Sequence, residues 1–298
     1  MFRYLNGMDD KIKCKCCKSE NTIKKGYRKT EKRGKIQKYL CLDCGKYFTK
    51  DEGFYRMRNS EKIITMSIDI YLSNLSSRKM RNQLERHLET KISHVSILDW
   101  VRRYTLKVQR YVDTLSPKLS GKVYADETEI DCEKRNDVFW CSVDWDTRYI
   151  NATLYSSNSQ NVKDATNFMN KIKKSVLPKY VQTDAAKFYP RAFRKVFYSI
   201  YKENNNVKHI INNVRKSKKH NVRIETVFSK IKDRVYDFRG IKALWSAPIL
   251  MAGIVLQHNY IEKHTTTGQL PSELAGIPNN QGVNKWLEMI RLATFNQT

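Results

Sequence analysis

The stretch "KVYADETEI", residues 122–130, starts as a strand and turns acidic, with Asp126, Glu127 and Glu129 inside four residues. Further along, "YVQTD" ends on Asp184. The later segment "NVRIETVFSKIKDRVYDF" carries Glu225 beside an apolar stripe of Ile224, Val227, Phe228, Ile231 and Val235. If the two strands are neighbours and the helix lies over them, Asp126, Asp184 and Glu225 meet at one end of a sheet. Three carboxylates so placed repel one another unless cations stand between them. Oxygen donors select hard divalent ions, so two Mg2+ or Mn2+ are expected. Two such ions about 4 Å apart can activate an attacking oxygen and stabilise a leaving one at a phosphodiester.

A second set of ligands lies near the start of the sequence. Cys14 and Cys17 are two residues apart, and after 23 more residues Cys41 and Cys44 repeat the spacing. A gap of two residues lets one turn aim both sulfurs at the same ion, and two turns complete a tetrahedral site suited to one zinc. Cys16 interrupts the first turn, but the spacing of the second pair favours Cys14. Four protein ligands close the site, which makes its role structural. The remaining cysteines, Cys132 and Cys141, lie in or near strands and read as buried thiols.

The rest of the chain is strongly basic, with 56 Lys and Arg against 30 Asp and Glu and a formal charge of +26. Residues 1–121 carry 28 basic and 13 acidic side chains, and residues 122–298 carry 28 and 17. Both parts are positive, so a long polyanion touching both is the natural partner. The opening "MFRYLNGMDDKIKC" lacks an apolar run, and no export signal is expected from it. The long uncharged stretch "ALWSAPILMAGIVLQHNYI" holds Ser246, Pro248, Gln257, His258 and Asn259, which suits a buried helix better than a membrane span. There is no G-x-x-x-x-G-K-[ST] loop and no H-E-x-x-H motif, so no use of ATP is expected.

These residues need elements to position them. "NTIKKGYRKT" and "KIQKYL" between the cysteine pairs read as hairpin strands, giving a zinc ribbon over residues 10–50. From 60 to 115, three helices are expected. Ile64, Ile68, Tyr71, Leu72 and Leu75 mark the first, and Met80, Leu84 and Leu88 the second. Ile97, Val101, Tyr104 and Val108 mark the third, with Ser76 and Ser96 as caps for the last two. The third helix presents Arg102, Arg103, Lys107 and Arg110 outward, in the manner of a DNA-binding helix-turn-helix unit. "TLSPKLSG", 114–121, reads as the boundary before an α/β unit over 121–265, and 266–298 as a C-terminal extension. That unit reads as three strands, helix, strand, helix, strand, helix, which implies a mixed sheet.

The element order, together with "ADET", "TDAAKFY", "NVRIETVFSKIKDR" and the cysteine and helical segments before them, resembles an insertion-sequence transposase of the DDE type. The resemblance implies an RNase H-like catalytic domain in which Asp126, Asp184 and Glu225 are the catalytic metal ligands. It implies cleavage of double-stranded DNA at the element's terminal repeats, transfer of the freed strand into target DNA, and at least a homodimer on the DNA. It also implies a prokaryotic, cytoplasmic, nucleoid-associated setting and no membrane. Lys232, seven residues after Glu225, and the run "VRKSKKH" with Lys216, Lys218 and Lys219 are the further DNA contacts expected.

Other acids and other readings stand beside these. Strand alternation sends Glu127 to the face away from Asp126, and Asp144 and Asp146 fall in an expected turn, where acids are normally solvated. A non-catalytic DNA-binding regulator derived from a transposase would have lost one of the acids. A structure-selective nuclease of the same fold would cut strands without joining them.

Overall fold

The computed structural model describes residues 12–30, 34–50, 52–157, 160–198, 206–212, 222–237, 241–278 and 282–296. The first part is an antiparallel sheet of β1 (Thr22–Thr30), β2 (Gly34–Cys41) and β3 (Tyr47–Thr49). Two of its strands match the expected hairpin, and the third follows the second cysteine pair. Helices α1 (Glu61–Leu72), α2 (Ser77–Leu88) and α3 (His94–Val112) come next. Ser60 and Ser76 cap the first two, each accepting from a backbone N–H in the first turn. The cap of α3 is Ser93, not Ser96: Ser93 accepts from the Ser96 N–H. Starting three residues earlier adds His94, Val95 and Ser96 to the helix.

The α/β part holds a five-stranded mixed sheet. Its strands are β4 (Lys122–Cys132), β5 (Arg135–Asp144), β6 (Ile150–Ser156), β7 (Tyr180–Thr183) and β8 (Lys208–Ile211), in the order β6-β5-β4-β7-β8. The first three form an antiparallel meander. β7 and β8 then add parallel to β4. Helices α4 (Val162–Ser175), α5 (Phe188–Phe197) and α6 (Val222–Asp237) follow β6, β7 and β8 in turn. This is the RNase H-like arrangement the sequence leads one to expect, with every element in the expected order. The chain ends in α7 (Ala247–Leu256), extended by a π-helical turn (Gln257–Ile261), then α8 (Pro271–Leu274) and α9 (Lys285–Phe295).

Two cores flank the sheet. Val123, Ala125, Val138 and Trp140 point to one face and pack against Phe168, Met169 and Ile172 of α4 and Tyr189 and Ala192 of α5. The opposite face presents Ile130, Cys132, Phe139 and Cys141 to Ile224, Val227, Phe228 and Ile231 of α6. This second core does not stop at the α/β part. It runs on through α7 and α9 into Ile64, Ile68, Leu72, Tyr104 and Val108 of the helical segment. Gly253 of α7 permits that junction, because a Cβ there would lie 3.1 Å from both Leu72 and Thr105. Most of the apolar stretch 243–261 is the buried helix expected, α7 with its π-helical turn, while Trp245 before it is exposed. No helix among the described residues is long and apolar enough to cross a membrane.

Candidate active site

Asp126 projects from β4 toward the α6 face, opposite Cys141 of β5. β4 and β7 are parallel neighbours, with Tyr124 beside Gln182 in register. Two residues beyond that pair on each strand stand Asp126 and Asp184. Asp184 follows the last residue of β7 and caps its own turn, accepting from the Ala186 N–H at 2.9 Å. Glu225 lies in the first turn of α6, where the positive end of the helix dipole favours a carboxylate. Ile224, just before it, is fully buried against the sheet, while Glu225 is exposed. The helix therefore presents this side chain at the edge of its packed face.

The electrostatics register the convergence. Burial pushes the Asp126 carboxyl up to about 7, and the charges of Asp184 and Glu225 push in the same direction. The Glu127 N–H, donating to Asp126 at 3.0 Å, and the charge of Lys232 act the other way. A carboxylate raised by burial and by like charges is one that a cation would relieve. The donor set is all oxygen, which fits a hard divalent ion and not a soft one. Among the described residues, the three carboxylates do not close as a threesome to the 4.8 Å spacing the zinc-type cluster reaches.

Glu127 lies on the other face of β4, as alternation requires, but it is not remote. It accepts a hydrogen bond from the hydroxyl of Tyr189, a residue sealed inside the α4–α5 core. Burial raises Glu127 to about 7, the Tyr189 hydrogen bond opposes this, and Asp126 and Asp184 add to it. The middle of β4 thus carries acids on both faces. The sequence gives no sign of this contact beyond the buried pattern of "KFYPRAFRKVF", in which Tyr189 falls on the inner side.

Asp144 corrects an expectation. It is fully buried, not solvated in a turn. One oxygen accepts from the Ser120 and Gly121 N–H groups and the Ser120 hydroxyl, and the other from the N–H and hydroxyl of Thr147. It ties the start of β4 to the β5–β6 turn. Asp146, by contrast, is a surface acid paired with Lys122 at 3.0 Å.

The four paired cysteines come together. Sγ of Cys14 lies 3.6 Å from that of Cys44, and Sγ of Cys17 lies 3.5 Å from that of Cys41. All four sulfurs fall within 4.8 Å of one another and could hold a metal ion. Thiolate donors in that number suit zinc. Cys16 stays outside, exposed, with the Lys46 ammonium on its sulfur at 3.0 Å. Cys132 and Cys141 are buried thiols inside the sheet.

The basic residues expected on α3 share the side opposite its buried stripe but differ in exposure. Arg103 is exposed and pairs with Asp99 at 3.5 Å, and Arg110 is exposed. Arg102 is half-buried, its guanidinium 4.4 Å from the ring centre of Trp245. Lys107 is half-buried as well. Lys232 is exposed on α6 and lines a groove with Lys79, Glu129 and Tyr236. Lys216, Lys218 and Lys219 lie outside the described residues.

A family model described as a DDE domain matches residues 120–264. No curated protein matches the chain. Among solved structures, one similar chain belongs to a simian T-cell lymphotropic virus intasome in complex with PP2A regulatory subunit B56 gamma. The identity is 12% and the TM-score 0.41, over 56% of this chain and 59% of that one, so this chain spans about three fifths of its relative. The HTLV-2 integrase catalytic core domain in complex with magnesium is 10% identical at a TM-score of 0.37, over 54% of this chain and 98% of that one. The catalytic core domain of BIV integrase is 10% identical at 0.35, over 51% and 92%.

Proposed function

We propose that this chain, whose residues 120–264 match a family model described as a DDE domain, is a transposase that cuts and joins DNA at the ends of an insertion sequence. The observation that supports the reading is that Asp126, raised to about 7 chiefly by burial, is raised further by the charges of Asp184, after the neighbouring strand, and Glu225, on α6. Asp126, Asp184 and Glu225 are the residues that would hold two Mg2+ or Mn2+ ions. Those ions, when bound, supply polarisation of the phosphodiester and stabilisation of the departing oxygen.

The chain's own residues position the reaction. β4 holds one acid, the end of β7 leads into the second, and the buried stripe of α6 sets Glu225 against them. To Lys232, two turns along α6 from Glu225, we assign a phosphate beside the scissile bond. Water first opens the strand at the element's end. The freed 3′-hydroxyl then attacks a target phosphodiester at the same carboxylates, one P–O bond forming as another breaks, so no ATP is needed. The DNA partners are the terminal repeats and the target duplex, gripped by α3 through Arg102, Arg103, Lys107 and Arg110 and by the run holding Lys216, Lys218 and Lys219. Two ends held together call for a homodimer or a higher oligomer on DNA, in the prokaryotic cytoplasm at the nucleoid. We divide the chain accordingly: ribbon 10–50, helical DNA-binding unit 60–115, catalytic unit 121–265 and extension 266–298.

The test is incubation of purified protein with labelled end DNA, Mg2+ and a target duplex. Cleaved and joined products are expected. Cleavage without joining would make the chain a nuclease, and neither product with binding intact would make it a regulator.

A further inference from the structure

Strand β1 is exposed from Ile23 to Lys29, seven successive residues. A strand lying on a core alternates between covered and open positions. This one is open on both faces, so the β1–β2 hairpin projects from the cysteine cluster as an arm. Its register breaks between Lys24 and Tyr27, where Gly26 takes a φ of +69° that a side chain would resist.

The charge of the arm's strands is one-sided, Glu31 between them being the one acid of the hairpin sequence. Lys24, Lys25, Arg28 and Lys29 on β1 and Lys35 and Lys38 on β2 are the strand cations, and β1, β2 and β3 contain no Asp or Glu. Among the described residues, none of Lys24, Lys25, Arg28, Lys29 and Lys35 has an ion-pair partner. Lys29 and Lys35 are direct cross-strand partners. Like charges facing each other weaken a hairpin, by up to about 1 kcal/mol for a close pair. Folding alone would favour opposite signs at that position. Tyr27 sits between these cations with 65% of its surface open.

We infer that the β1–β2 hairpin is a duplex-binding arm, its cations on the phosphates and Tyr27 against the sugar edge. The inference rests on the proposed function for the class of partner and adds a surface that the function does not require. Shape supports a duplex over an acidic protein. Nine residues at about 3.3 Å each make a strand of about 30 Å, close to one turn of DNA. A two-stranded ribbon also fits a major groove about 12 Å wide, where cations on both faces meet both phosphate walls.

The test uses the full zinc-loaded chain and a duplex of arbitrary sequence, with binding measured across a range of salt. Replacing Lys25, Arg28, Lys29 and Lys35 by Ala should flatten the slope of log affinity against log salt by about 3. Affinity at moderate salt should fall on the order of 30-fold, with zinc content unchanged. Lys29→Glu is the sharper variant. Facing Lys35, the new carboxylate should raise the thermal midpoint while weakening the duplex, two changes a purely structural arm would not combine. Wild-type affinity and slope in either variant would overturn the arm and leave the proposed function standing. A wild-type chain that bound no duplex would overturn both.

Discussion

Asp126 lies two residues past Tyr124 on β4, and Asp184 lies two residues past Gln182, the register partner of Tyr124, just beyond the end of β7. The parallel pairing of the two strands covers only Lys122–Tyr124 of β4, while β5 pairs with β4 over Val123–Cys132. β7 stops at Thr183, and the Asp184 carboxylate turns back to accept from the Ala186 N–H.

The cysteine cluster should hold about one zinc per chain. Sulfurs of Cys14, Cys17, Cys41 and Cys44 already lie within 4.8 Å of one another, so binding needs little rearrangement. The Cys14 thiol is held down to about 6, chiefly by the backbone N–H of Cys17, whereas the Cys41 side chain raises Cys17 and burial raises Cys44 to about 12, so the four thiols do not ionise alike without a cation among them. Metal analysis of purified protein checks the stoichiometry. Cys41→Ser should lose the zinc, whereas Cys16→Ser should keep it. Equal retention in both would refute the ligand set.

The cysteine spacing was legible because both ligands of each pair lie in one short turn. The placement of Asp126 and Asp184 on neighbouring strands was legible only as a condition, since strand adjacency is set by tertiary packing. Asp144 was not legible. A turn acid next to "DTR" looks solvated until the Ser120–Gly121 backbone, 23 residues upstream, folds over it. The continuity of the second core was hidden for the same reason. The stripe of α3 needs some partner, but only the close approach at Gly253 identifies that partner as α7.

Asp144→Ala should destabilise the fold by about 3 to 5 kcal/mol, because three backbone N–H groups and two hydroxyls lose their acceptor inside the protein. Asp146→Ala, removing an exposed pair with Lys122, should cost under about 1 kcal/mol. Urea unfolding of the two variants beside the parent measures the contrast. Similar small losses in both would mean that Asp144 is not the tie described.

Acid should unfold the protein partly through His258. Burial lowers this imidazole to about 4, against the opposing hydrogen bond from its Nε2–H to the Arg148 carbonyl. The folded state resists protonation that the unfolded chain accepts near pH 6.5. Stability from this group is therefore full above about 6.5 and is lost as pH falls toward 4. The difference of about 2.5 units corresponds to a loss on the order of 3 kcal/mol. His209 and His264, also lowered by burial, act with the same sign. His258→Gln keeps a donor for Arg148 without the titration, so its unfolding midpoint should fall less steeply between those pH values. An unchanged slope would remove His258 from the account.

Asp126→Asn should abolish both end cleavage and strand transfer while leaving duplex binding intact or slightly tighter. The amide is nearly the same size, and Asp126 sits at the edge of the α6-side core, so β4 should keep its pairing with β5. What disappears is one negative charge from the group formed with Asp184 and Glu225. Two divalent ions then lack the charge that retains them, and activation of the attacking oxygen is lost with them. In the proposed mechanism both displacements use the same carboxylates, so neither step would be spared. Duplex binding rests on Lys and Arg elsewhere, and lower local repulsion of phosphate assists it. Asp184→Asn and Glu225→Gln should behave alike. Gel assays with labelled end DNA in Mg2+ read cleavage and joining separately. A folded Asp126→Asn protein that still cut ends near the parent rate would remove Asp126 from the catalytic set. Glu127, whose carboxyl is raised by burial and by Asp126 and Asp184 and is held by Tyr189 beside Asp126 in β4, would then be the acid to replace.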